Sequence, residues 1–321
     1  MFQRFSGRNY LLIDIANQFG LDKEPWDNRI DWSERHYYDL ETMQPQAESP
    51  VLYAKAVNAL REVDGGNTTN HMMGLDATAS GIQIMSAMSG CTTSAKAVNL
   101  IDTGRRECLY TDVAAVMGGN RNEVKYPVMT YFYGSTAMPE KAFGDNVSKF
   151  YDALKEVCPG PRQLKILIQQ HWDPEAEYYT WIMPDDHTVH IPVTETVGKN
   201  IEIDEWDHAR FKYLADVPKP QAKGRALAAN VVHSVDAWIC RQMVLRAKRQ
   251  GFDLVPIHDC FFASPNYMNH VRMNYMELLT EVAKGNWTAE ILSQIKGRPI
   301  DYVKMSDDLP DLIMESNYAL S

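Results

Sequence analysis

Gly74-Leu75-Asp76-Ala77-Thr78-Ala79-Ser80-Gly81-Ile82-Gln83 is the stretch on which the fold of this 321-residue chain turns. The apolar run at residues 71–75 predicts a short strand ending at Asp76, and residues 80–88 suit a helix. An acid at a strand-to-helix junction has two uses. It can cap the helix by accepting from its free amides, or stand at a sheet end as an oxygen ligand. Read alone, Asp76 fits the cap better, because Asp is common in that role.

A second acid changes the balance. Residues 254–257 and 260–263 read as two short apolar strands with His258-Asp259 at their junction. Asp259 alone is an ordinary turn residue. Together, Asp76 and Asp259 could share one small antiparallel sheet and present two carboxylates in one place. Mg²⁺ is a hard ion that takes oxygen ligands and keeps several waters, so two carboxylates plus substrate phosphates suffice to hold it. A pair of such ions can activate an attacking hydroxyl and stabilise a leaving pyrophosphate.

Between the acids lies a cationic segment. Asn120 followed by Glu123 has the form of a capping box, so a helix is expected from there to about Tyr133, where Gly134 breaks it. Pro127 removes one amide from that helix, and a kink or loosened turn is expected there. Arg121 and Lys125 stand one turn apart on one face, and Tyr133 lies two turns beyond Lys125, offset by about 80°. Two cations near a helix N-terminus suit an anion such as a triphosphate, and the tyrosine hydroxyl could meet a sugar. The bland alternative, an exposed basic turn with Tyr133 in the core, is equally compatible with this segment alone.

The rest of the chain sets bounds. Hydrophobic residues make up 45% and charged residues 23%, ordinary for a globular protein, and no apolar run approaches a bilayer span. The N-terminus lacks a secretory apolar region, so a cytoplasmic location is expected. Cys91, Cys108, Cys158, Cys240 and Cys260 are scattered without a Cys-x-x-Cys pair and read as reduced thiols. The net charge of -10 argues mildly against nucleic-acid binding. However, Lys219, Lys223, Arg225, Arg241, Arg246, Lys248 and Arg249 crowd one stretch, either as a basic groove or as a solvated helix face. Helices are expected at 8–20, at 51–63, from about 225 to 250 and at 268–283, with weaker helical character at 27–43. A hairpin is expected around Asp185-Asp186. The predicted class is α+β, helix-dominated, with a small antiparallel sheet carrying both acids.

In order and wording these segments resemble the single-subunit DNA-directed RNA polymerases of phages and mitochondria. Asp76, Ser80-Gly81-Ile82-Gln83 and Ser86-Ala87-Met88 match the family's first motif, with Ile84 in place of a His. Arg121, Lys125, Val128-Met129-Thr130 and Tyr133-Gly134-Ser135 match the second, and Ile257-His258-Asp259 the third. Ala97-Val98-Asn99-Leu100, Tyr110 and Val232-His233-Ser234 fall in order between them. The resemblance implies a right-hand polymerase with palm at 1–95 and 233–321 and fingers at 96–232. It implies that Asp76 and Asp259 bind two Mg²⁺ ions, with the carbonyl of Ala77 assisting. Arg121 and Lys125 would hold the incoming nucleoside triphosphate, with Lys125 also protonating the pyrophosphate. Tyr133 would close over the nucleotide and select ribose, His233 would contact the growing RNA end, and His258 would support the hairpin.

Departures from the pattern matter too. The family carries an N-terminal promoter domain, a thumb and an Asp-x-x-Gly-Arg motif ahead of the first aspartate. Here Gly7-Arg8 is the only nearby Gly-Arg, and Arg4 stands where the Asp should be. Tyr126 replaces a basic residue often found beside the lysine. The expectation is a catalytic chain of a split phage enzyme, binding DNA template and RNA product, with a second subunit supplying the thumb and N-terminal elements. A family A DNA polymerase fragment is the runner-up. Cys260 after Asp259, where those enzymes usually carry Glu, and Met129, where they carry an aromatic, favour the RNA polymerase reading. An inactive polymerase-like binding module would have no need of both aspartates, Lys125 and Tyr133.

Overall fold

The computed structural model describes residues 2–220, 224 and 226–321. At its centre is a three-stranded antiparallel sheet. Strands β1 (Met73–Asp76), β6 (Val255–Ile257) and β7 (Cys260–Ala263) lie in the order β1-β7-β6. The register places Met73 opposite Ala263 and Asp76 opposite Cys260, while Ile257 faces Cys260 across a two-residue turn. That turn is His258-Asp259, and His258 takes a left-handed φ of 56°, the conformation a tight hairpin turn needs. Both aspartates therefore stand at one end of this sheet, as the hydrophobic runs predict.

Gly74 sits in β1 because nothing larger fits. A Cβ there would lie 2.6 Å from the Phe262 ring and 2.8 Å from the Cys260 sulfur.

The Ser80–Ser89 helix leaves β1 and is buried along nearly its whole length. It packs against the long Ala226–Gln250 helix, the Met268–Lys284 helix and the Pro159–Gln170 helix. Its buried polar groups are satisfied. Ser86 donates to the Ile82 carbonyl at 2.7 Å, and Gln83 bridges the Val98 and Ala319 carbonyls, each at 2.9 Å. A second, smaller core joins the Gly7–Ala16 and Pro50–Asp64 helices through Leu11, Leu12, Ile15, Tyr53 and Leu60. The first of these ends in a π-turn over Asn17–Leu21, where Gly20 adopts φ 111°. Residues 27–43 form two short helices, Trp26–Arg35 and Leu40–Met43, not one.

Two further hairpins complete the strands. β2 (Tyr178–Ile182) and β3 (Thr188–Pro192) form the expected one, with Asp186 at φ 60° in its turn. β4 (Thr194–Ile203) and β5 (Ala209–Pro218) form a second, largely exposed ribbon. The helix expected from about 225 begins at Ala226; Lys223 and Arg225 lie outside the described residues. Among the described residues no helix is long and apolar enough to cross a membrane. All five cysteines are free thiols.

Part of the basic stretch is paired with acids. Arg241 forms a bidentate pair with Asp185 at 2.7 and 2.9 Å, Arg246 pairs with Glu277 and Glu281, and Lys219 pairs with Glu195. Those three charges are neutralised by neighbours in space that were invisible in the linear order.

Candidate functional site

Asp76, Asp259, Arg121, Lys125 and Tyr133 line one cavity of about 320 Å³. The sheet supplies the acids. The Ala77 amide donates to the Asp259 carbonyl at 3.0 Å, which locks the end of β1 to the β6–β7 turn. Asp76 does not cap the helix that follows. The cap position is Ala79, in a left-handed conformation (φ 56°), and no side chain bonds to the helix amides. The capping use of Asp76 is thereby removed, and its carboxylate is left facing the cavity.

The electrostatics of the acids follow from crowding. Burial among the cavity walls, then the charge of Asp259, pushes the Asp76 carboxyl up to about 6. Asp236, one helical turn beyond His233, is likewise pushed up to about 6 by burial and then by Asp259, with His258 opposing. Asp236 was not foreseen from the sequence; its spacing of three from His233 on a predicted helix was the available signal. The Asp76 carbonyl accepts from the Ser321 amide at 2.9 Å, whereas no backbone amide among the described residues donates to the carbonyl of Ala77. Crowded carboxylates plus a free carbonyl are hard oxygen donors, and this set fits a divalent cation.

A tighter group lies elsewhere. Among the described residues, the donor atoms of Glu202, Asp204 and His208 all fall within 4.8 Å of one another, at the exposed tip of the β4–β5 ribbon. They are engaged with each other and with Arg210, which donates to Glu202 at 2.7 Å.

The cations come from the Arg121–Phe132 helix. The capping box is formed, with Asn120 Oδ1 accepting from the Asn122 amide at 2.9 Å and Glu123 accepting from the Asn120 amide at 3.4 Å. The helix runs across Pro127 as a single element and ends at Tyr133. Arg121 donates from Nε to Cys108 Sγ at 3.3 Å and lies 5.7 Å from the Tyr110 ring. Burial raises the Cys108 thiol, but hydrogen bonds with Thr111 and Arg121 outweigh it and hold the thiol below its ordinary value. Among the described residues, neither Arg121 nor Lys125 has a carboxylate partner. Two cations left uncompensated over a cavity are suited to an anion.

Tyr133 is not a core residue; it is 42% exposed. Its hydroxyl approaches the first turn of the Ser80–Ser89 helix so closely that a Cβ on Gly81 would lie 3.1 Å away. Its ring sits 5.2 Å from that of His233. Burial, then Asp236 and Asp259, raises the Tyr133 hydroxyl above its ordinary value, so it remains a neutral donor. Burial lowers His233, which favours the neutral imidazole. His258 contributes its backbone to the turn and does not line the cavity. Three other cavity residues, Asp22, Lys23 and Arg106, went unnoticed in the sequence. Asp22 and Lys23 form an ion pair just past the π-turn, and nothing in their local pattern signals the site.

Known proteins similar in sequence are polymerases. A family model for DNA-dependent RNA polymerase matches residues 4–123. The chain is 22% identical to the DNA-directed RNA polymerase of Pseudomonas phage phiKMV over 324 residues, covering 79% of this chain and 40% of that protein. It is 23% identical to the mitochondrial DNA-directed RNA polymerase of Homo sapiens over 348 residues, covering 86% of this chain and 28% of that protein. The chain thus spans well under two thirds of each of these relatives. By sequence the chain is similar to the DNA-directed RNA polymerases of phages and mitochondria.

Proposed function

We propose that this chain carries the palm and fingers of a DNA-directed RNA polymerase and transfers nucleoside monophosphates to an RNA 3′ hydroxyl on a DNA template. The palm would comprise residues 1–95 and 233–321, and the fingers residues 96–232. The observation that carries the reading is the convergence of Asp76 and Asp259 with Arg121, Lys125 and Tyr133 on one cavity.

Asp76 and Asp259 would hold the metal ions, with the Ala77 carbonyl as a further oxygen donor. When bound, a pair of Mg²⁺ ions supplies Lewis-acid activation of the hydroxyl and charge neutralisation at the pyrophosphate. Arg121 and Lys125 would bind the triphosphate and orient it along the Arg121–Phe132 helix, and Lys125 would give a proton to the departing pyrophosphate. Tyr133, held neutral, offers its hydroxyl to the sugar from beside Gly81. His233, its ring tilted against that of Tyr133 at 5.2 Å, would contact the growing end. His258 holds the hairpin turn that aims Asp259. The remaining elements of such an enzyme would lie outside these 321 residues, on this polypeptide or on a second subunit.

The test is template-dependent extension of an RNA primer by this chain together with whatever polypeptides co-purify with it from the native source. Addition is expected with nucleoside triphosphates and Mg²⁺, and its loss in Asp259→Asn and Lys125→Ala proteins that melt normally. Undiminished addition by Asp259→Asn refutes the metal-ligand role. Processive extension by this chain alone removes the need for a second subunit.

A further inference from the structure

Two cations of the cavity, Lys23 and Arg106, have no task in the mechanism above, and Lys23 is already paired with Asp22. Arg106 lines the same cavity as Arg121 and Lys125. It lies in the irregular segment that leads into the Leu109–Met117 helix, so its backbone does not belong to the Arg121–Phe132 helix. Its guanidinium is anchored on one side only, where Nε donates to Ser321 Oγ at 3.2 Å. Among the described residues no carboxylate forms an ion pair with it. Asp22 acts on it across the cavity, but Asp22 is paired with Lys23.

Two like charges also act on this group. Arg121 acts against it from the helix side, and the fully buried Arg29 lies behind it. Arg29 bonds only to neutral oxygens: the Glu24 carbonyl, Asn17 Oδ1 and the Asp22 carbonyl. Burial is the first cause that lowers Arg106 from its ordinary value; Asp22, Cys108 and Tyr318 oppose it, and Arg121 adds to it more weakly. A half-buried guanidinium with two other guanidiniums near it and no ion-pair partner of its own, open on one side to a cavity, is stabilised by an anion entering that cavity. With Nε committed to Ser321, the two terminal amino groups remain as a planar fork. That fork matches two oxygens of one phosphate.

Resting on the polymerase reading above, we propose that Arg106 is a third phosphate-binding residue, holding the incoming triphosphate from the segment that precedes the Leu109–Met117 helix. Three cations from two elements fix the phosphate chain in orientation as well as position, which two cations on a single helix face do not. The Arg105-Arg106 doublet two residues before Cys108 is its only trace in the sequence.

The test is binding of inorganic tripolyphosphate, with Mg²⁺ present, to the full chain by isothermal titration calorimetry. Arg106→Gln should weaken binding on the order of tenfold to a hundredfold, the range for losing hydrogen bonds to a charged group. Arg106→Lys should retain part of the affinity, and Ser321→Ala should bind nearly as tightly as the unmodified chain. Thermal melts establish that each variant is folded, and Arg106→Lys, which keeps stem and charge, carries the comparison if Arg106→Gln is not. Equal affinity in Arg106→Gln overturns the assignment and leaves the nucleotide site standing. A loss in Ser321→Ala as large as in Arg106→Gln makes Arg106 a structural anchor and also overturns it. If the unmodified chain binds no tripolyphosphate, the nucleotide site itself fails and this inference goes with it.

Discussion

The amide of Ala77 and the carbonyl of Asp259 are joined by a 3.0 Å hydrogen bond, so the residue after one cavity aspartate is held by the backbone of the other. Asp76 and Asp259 are thereby brought together by main-chain geometry and not by any attraction between their side chains, which repel. Sheet pairing supplies the free energy that overcomes that repulsion.

The first expectation concerns that repulsion. Asp259→Asn should relieve it, raising the melting temperature of the metal-free protein at neutral pH while reducing its affinity for Mg²⁺ or a luminescent lanthanide probe by tenfold or more. A lower metal-free melting temperature would mean that the Asp259 carboxylate supports the turn instead of straining it.

A pH dependence follows from the same crowding. The Asp76 and Asp236 carboxyls are raised from 3.8 to about 6 in the folded chain. The folded state then holds protons that the unfolded state has released between those values. Metal-free stability from these groups is fully present below about pH 4 and is lost as pH rises through about 6. Asp76 opens onto the cavity, so its share is smaller than that of Asp236. In melts from pH 4 to 7.5, Asp76→Asn should flatten part of the decline, and Mg²⁺ should stabilise the unmodified chain most at the upper end. A decline of equal steepness in Asp76→Asn would exclude Asp76 as a contributor.

What could be read in the linear order was whatever depended on short-range pattern. The strand at Met73–Asp76, the hairpin at His258-Asp259 and the capping box at Asn120 each declare themselves within a few residues, and they place the acids and the cationic helix correctly. The β4–β5 ribbon did not, because it is exposed on both faces and lacks an apolar-polar alternation. The pairing of Arg241 with Asp185 was equally hidden, since a charge run carries no sign of partners brought in by a distant hairpin. Arg106 and Asp236 belong with these. Each matters through what faces it, and that is a property of the fold.

Gly81 separates stability from function. It lies in the first turn of the Ser80–Ser89 helix, and its φ is not in the left-handed region, so alanine is conformationally allowed there. Alanine should favour the helix by up to about 1 kcal/mol. Its Cβ, however, would stand 3.1 Å from the Tyr133 hydroxyl and push it aside. Gly81→Ala should therefore melt no lower than the unmodified chain yet raise KM for nucleoside triphosphates and weaken discrimination between ribose and deoxyribose. Tyr133→Phe should show the same loss of discrimination without the KM penalty of a displaced ring. Unchanged sugar preference in both variants would dismiss Tyr133 from that role.

Gln83 tests how the cavity floor is held. Its side chain is fully buried and uses three hydrogen bonds: Nε2 donates to the Val98 and Ala319 carbonyls at 2.9 Å each, and Oε1 accepts from Tyr275 Oη at 2.8 Å. The Ala319 carbonyl also accepts from Thr78, so this one amide ties the segment beside Asp76 to the chain around residue 319. Leucine has a similar volume but leaves two carbonyls and a hydroxyl with fewer partners in a dry interior. Gln83→Leu should cost roughly 2–4 kcal/mol in urea unfolding, and Tyr275→Phe about 1 kcal/mol. The double variant should lose less than the sum, because the hydroxyl left unpaired by the first change is removed by the second. Strict additivity would show that the Tyr275–Gln83 bond contributes nothing to the fold.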